Sequence, residues 1–275
     1  MTSGCIIGII IKMTIKMEDR VVGRIITFAN QKGGVGKTTS AVNIAAETGA
    51  MGKKVLLVDN DPQGNASSGV GIFNKKGIKY STYSTLMEPE TVRMAIQPTP
   101  FENLDVMPSN INLAGAEIEI IEFNDRHKRL KTALDMIKDE YDYIFIDCPP
   151  TLGLLTVNAL VASDGVIIPM QCEYFALEGL AQLSVSIKRV KQMYNPKLEL
   201  VGILITMYNG RLNLSLQVMS ELKKYYGDKL FKTVITRNVR LSEAPSYGKP
   251  IKYFDKYSKG SQAYSEVTEE ILERI

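Results

Sequence analysis

Cysteine and histidine are scarce in this chain, with three of the first and one of the second among 275 residues. Cys5, Cys148 and Cys172 lie far apart with no CxxC pair, which suggests neither a disulfide framework nor a zinc site and best fits a reducing cytosol. His127 stands among Asp125, Arg126, Lys128 and Arg129, the setting of a solvated helix face rather than of a ligand or a base. Long apolar runs are also missing. Cys5 to Ile11, the apolar stretch near the N-terminus, has seven residues and precedes Lys12, Lys16 and Arg20. It is too short to span a bilayer, and its charges follow the run where a signal peptide would place them before it. Residues 1–23 therefore read as a non-core extension. Translated sequence ahead of a start at Met13 or Met17, or a weak surface anchor, stay open as alternatives. No repeat or low-complexity linker divides the remainder, and 45% hydrophobic with 23% charged residues supports one domain, 24–275.

Charge is unevenly spread. The formal net charge is +3, yet residues 186–260 hold 15 Lys and Arg against 5 Asp and Glu, and residues 261–275 hold one Arg and four Glu. A basic block inside a folded domain is the footprint of a polyanionic partner, most simply DNA, with a lysine-rich solvated face as the bland alternative.

Residues 32–39 read Lys-Gly-Gly-Val-Gly-Lys-Thr-Thr. This departs from the GxxxxGK[ST] phosphate loop by its compressed spacing and by Lys32 ahead of the glycines, but the physical parts are there. Gly33, Gly34, Val35 and Gly36 let backbone N–H groups close around phosphate oxygens, Lys37 neutralises charge, and Thr38, followed by Thr39, offers a hydroxyl to Mg²⁺. The β-branched run Arg24–Ala29 predicts a strand before the loop. Thr38–Met51, with Ala41, Ile44, Ala45 and Thr48 on one face, predicts a helix after it.

Further strands are predicted at 55–59, 104–107, 143–147, 165–169, 200–206 and 232–235, and amphipathic helices at 126–139, 177–194, 214–226 and 262–274. Alternation of this kind implies an α/β fold with a doubly wound, mostly parallel sheet, helices on both faces and a ligand site at the strand C-termini. Residues 64–97 read as a longer excursion. Asp147, ending YIFID, is placed to hold Mg²⁺. Asp61, in DNDPQGN, could orient the attacking water or the metal, and Asp59 has a structural alternative as a strand-end hydrogen-bonding residue. No strong base stands beside Asp147, so hydrolysis should be slow, as in a switch.

KGGVGKTT, VDNDPQGN, YDYIFIDCPPTLGLLTVNAL, IPMQCEYFALEGL and NVRLSEAPSYGKPI together resemble the ParA/Soj family of chromosome and plasmid partitioning ATPases, within the MinD/ParA deviant-Walker group. The resemblance runs from about Arg24 to the C-terminus. It implies ATP and Mg²⁺ as cofactors, and an ATP-dependent homodimer in which Lys32 reaches the partner's phosphates. It also implies catalytic roles for Lys32, Lys37 and Asp61, and a metal set of Thr38, Asp61 and Asp147. Base contacts are implied near Met207 and Asn209 and at Thr236 and Asn238, with Thr236 replacing the family's usual proline. Non-specific double-stranded DNA would meet Arg211 and Arg240, and a ParB/Spo0J-like protein would stimulate hydrolysis, giving a cytoplasmic, nucleoid-associated protein. The 23 residues before the first strand leave no room for the helix-turn-helix of larger plasmid relatives. A MinD-like membrane ATPase is the main alternative, set against the glutamate-rich last helix. An Fe–S carrier and a tyrosine autokinase are disfavoured by the cysteine and tyrosine patterns.

Overall fold

A computed structural model describes residues 23–275; the extension assigned to 1–23 falls, but for Gly23, outside the described residues. Seven strands form one sheet: β1 (Arg24–Phe28), β2 (Val55–Asp59), β3 (Gln97–Pro98), β4 (Leu104–Met107), β5 (Tyr143–Asp147), β6 (Gly165–Met170) and β7 (Glu199–Ile205). Their order is β3-β4-β2-β5-β1-β6-β7. All pairings are parallel except that of β3 with β4. The principal helices are α1 (Lys37–Ala50), α2 (Arg129–Asp135), α3 (Leu154–Ala162), α4 (Ala176–Met193), α5 (Asn213–Tyr226), α6 (Val239–Glu243) and α7 (Lys259–Arg274).

Side chains alternate across each strand, which places cores on both faces of the sheet. Ile26, Phe28, Leu57 and Phe145 pack toward α1 and α7. Ile25, Leu56, Val58 and Ile146 pack toward α2 and α3, while β6 and β7 bury Ile168 and Ile203 beneath α4 and α5. The doubly wound α/β architecture is thus the one expected. Tyr264, Val267 and Ile271, the apolar face of α7, are at most 1% exposed, so that face is spent on the core. Among the described residues no helix is long and apolar enough to cross a membrane.

Four local expectations are corrected. Residues 232–235 run beside β7 but form no strand, leaving only isolated bridges at Leu230 and Thr236. The ladder breaks because the Lys232 and Thr233 N–H groups donate to the Glu270 carboxylate. The helix expected over 126–139 is reduced to α2 and a separate 3₁₀ turn at Lys138–Glu140. The 64–97 excursion is largely structured, with short helices at Asn65–Gly69, Thr82–Met87 and Val92–Ala95; a reciprocal capping box between Ser81 and Ser84 starts the second of them. His127 is half-buried, its ring 4.6 Å from that of Tyr194.

α1 is tied to the C-terminal part of the chain by polar contacts. Ser40 Oγ lies 3.1 Å from the Tyr264 hydroxyl, Asn43 Oδ1 accepts from Ile251 N at 2.6 Å, and the buried Glu47 pairs with Lys252 at 2.8 Å. Lys252→Met would strand the Glu47 carboxylate in the interior, and the expected cost in urea unfolding is about 1–3 kcal/mol; an unchanged midpoint would show that the pair contributes nothing.

Candidate nucleotide site

The sheet register brings three strand ends together, for Asp147 is the partner of Phe28 on one side and of Asp59 on the other. The chain leaves β1, turns through residues 29–36 and enters α1. Gly34 and Gly36 take φ of +73° and +83°, a left-handed conformation that side chains resist, so glycine is required where the loop curls back. Gly36 is the N-cap of α1 and brings no side chain to satisfy its first N–H groups. Those donors, at the positive end of the helix, are left for an anion.

Lys37 is buried, and its Nζ donates to the Lys32 carbonyl at 2.9 Å, spanning the loop from inside. Burial lowers its pKa, opposed by Asp147, Cys148 and Asp61. Asp147 is fully buried, and neither carboxylate oxygen has a hydrogen-bond partner. Burial first, then the nearby Asp59 and Asp61, pushes its pKa well above the usual carboxylate range, while the Thr38 hydroxyl and the Lys37 ammonium pull it down. An unpartnered buried carboxylate beside a threonine hydroxyl is a donor set suited to a hard cation that keeps several waters and phosphate oxygens. Among the described residues no group of three or more His, Cys, Asp or Glu is placed to hold a metal ion.

Asp59 and Asp61 differ in kind. Asp59 accepts from Ser67 N at 2.7 Å, Ser67 Oγ at 2.6 Å and Asp61 N at 3.2 Å. Burial nevertheless raises its pKa to about 6. It acts as the strand-end brace that shapes the turn. Asp61, 6% exposed, accepts from Gln63 N at 2.9 Å and stands at the same mouth as Asp147 and Lys37.

A cavity of about 320 Å³ opens beside Gly36 and Thr39. Met207, Thr236 and Asn238 line it, as does Arg237, which sequence reasoning passed over. Met207 holds a φ of +50° at its edge. Asn238 Oδ1 also caps α6 by accepting from Arg240 N at 2.8 Å. Asn209 does not line the cavity; its Oδ1 accepts from Arg211 N at 3.1 Å and shapes the turn before α5. Arg211 is exposed. Arg240 is exposed too but shared between Glu243 at 3.0 Å and Asp255 at 3.4 Å. The Lys32 ammonium is in an ion pair with Glu173. Only the motif around Glu173 was visible in the sequence, not this contact.

A family model described as an AAA domain matches residues 23–200. The sporulation initiation inhibitor protein Soj of Bacillus subtilis is 54% identical over 249 residues, 90% of this chain and 98% of that protein. The chain belongs to the ParA/Soj family of partitioning ATPases. The chromosome partitioning protein ParA of Myxococcus xanthus is 49% identical over 92% of this chain and 89% of its own length. Among solved structures, cobyrinic acid a,c-diamide synthase of Mycobacterium smegmatis, with bound ATP analogue and magnesium, is 35% identical with a TM-score of 0.79, covering 91% of this chain and 95% of that one. A shared P-loop architecture thus spans proteins whose names denote different activities, and the higher identity lies with the ParA/Soj members.

Proposed function

We propose that residues 24–275 form an ATP-driven partition switch. ATP binding joins two copies into a DNA-bound dimer, and slow hydrolysis, stimulated by a ParB/Spo0J-like partner, releases it. The observation that carries the chemistry is the unpartnered Asp147 carboxylate beside Lys37 and Thr38 at the mouth of the phosphate loop. The loop residues Gly33 to Thr39 would cradle the phosphates, and the cavity at Met207, Thr236 and Asn238 would take the base.

Thr38 and Asp147, with Asp61 nearby, would hold Mg²⁺, which supplies charge neutralisation at the outer phosphates. Asp61 accepts a hydrogen bond from the attacking water and points its lone pair at the terminal phosphorus. The water oxygen then bonds to phosphorus as the bond to the bridging oxygen breaks, the water gives up a proton to an oxygen of the transferred phosphoryl group, and ADP and phosphate leave. Lys37 balances the charge gathering on the leaving oxygen, and Lys32 of a second copy adds a cation that one loop lacks.

Arg211 and Arg240 lie in the basic block and would contact phosphates of double-stranded DNA without reading bases. Because Arg240 is already engaged by two carboxylates, Arg211→Ala is expected to cost more affinity than Arg240→Ala. Each should reduce the slope of log affinity against log salt by roughly one unit, in titrations of the ATP-bound dimer. Equal salt slopes in parent and double variant would place the DNA surface elsewhere. The function itself is tested by ATPase assays with DNA, with the partner and with both. Synergy between the two is expected, and a rate indifferent to both would sink the switch. As such a switch the protein would work in the cytoplasm on the nucleoid.

A further inference from the structure

We infer that the segment joining β6 to α4, Gln171–Phe175, is a strap that keeps Lys32 on its own subunit until a second copy of this chain docks on Tyr174 and Phe175. The strap is fastened to the phosphate loop at two points. Gln171 Nε2 donates to the Gly34 carbonyl at 2.7 Å, and the Glu173 carboxylate takes the Lys32 ammonium. The exit of β6 is anchored as well, by Asn30 Nδ2 donating to the Pro169 carbonyl at 2.8 Å. Between strap and loop lies a cavity of about 200 Å³, lined by Lys32, Val35, Gln171 and Phe175 among others, so the two can shift against each other without unpacking the core.

The next two residues are aromatic and in solvent. Tyr174 and Phe175 are 76% and 68% exposed and meet edge to face with centroids 4.9 Å apart. A stiff aromatic pair, flanked by charge and unburied, has the composition of an interface anchor. The occupant that fits is a second copy. The pair adjoins Glu173, which holds Lys32, and Lys32 is the group expected to serve the second copy's phosphates, the premise taken over from the proposed function. Burying the aromatics on that copy draws the strap outward and takes Glu173 with it. The freed ammonium then faces the partner, and the Gln171–Gly34 bond carries the same movement to the phosphate loop. The Lys32 and Glu173 side chains are each 46% exposed, so the latch is weak and reversible, worth a factor of about two to five per subunit.

The test uses the Asp61→Ala protein with Mg²⁺ and ATP, its dimerisation constant read by sedimentation. Adding Glu173→Gln opens two latches per dimer and is expected to tighten the constant about 4- to 25-fold; adding Glu173→Asp should leave it near the parent's value. Adding Tyr174→Ala with Phe175→Ala is expected to weaken it at least about tenfold while the affinity of the monomer for a fluorescent ATP analogue stays within about twofold. An unchanged or weaker constant for Glu173→Gln, or parent-like dimerisation without the two aromatics, overturns the strap and leaves the dimer standing. A parent that remains monomeric in ATP overturns the dimer and the strap together.

Discussion

Lys37→Ala should abolish nucleotide binding, with an affinity loss of at least about a hundredfold, or about 3 kcal/mol. The ammonium is held inside the loop by the Lys32 carbonyl, so it is positioned before ligand arrives and loses little freedom when phosphate takes the carbonyl's place. Burial already lowers the Lys37 pKa, against the pull of Asp147, Cys148 and Asp61, so a bound phosphate would favour the charged form further. Titration with a fluorescent ATP analogue measures the loss, and retained affinity would mean that the loop is not the phosphate site.

Asp61→Ala has the opposite signature. The side chain bonds only to its own turn, through Gln63 N, so the site should assemble and bind ATP normally. Turnover should fall by about 10²- to 10³-fold, the usual cost of losing one positioning group in the transition state. With hydrolysis removed and assembly intact, the dimer should accumulate on DNA. Gel filtration with ATP and co-sedimentation with DNA check this. A monomer in ATP would count against the ATP-driven dimer itself, because the Asp61 side chain bonds only within its own turn.

The contrast between these residues shows what sequence alone could convey. The phosphate loop and its flanking strand and helix were legible because their chemistry lies in consecutive residues. β2, β5 and β6 were legible because strands buried on both faces are continuous apolar runs. α3 escaped notice for the same reason, since LLTVNALVA is apolar nearly all round and shows no helical stripe. Residues 232–235 look like a strand until Glu270, nearly 40 positions later, takes two of the N–H groups a strand would need. The Lys32–Glu173 pair depends on β1 and β6 being neighbours in the sheet, a fact of topology that no local pattern carries. The family motifs pointed to the segments around Met207 and Thr236, but that Arg237 lines the cavity there and Asn209 does not is a matter of three-dimensional placement that no local pattern carries.

The fastening of α1 to Tyr264, Ile251 and Lys252 bears on where nucleotide state is remembered. A helix gripped along its length acts as a fixed reference frame, and ligand-driven displacement must then be absorbed by the parts that grip it least. The candidates are the turn after Asp59, held by the Ser67 contacts, and the strap after β6. In the proposed switch the phosphate-loop helix would be the anvil, and the two flanking loops the parts that move against it.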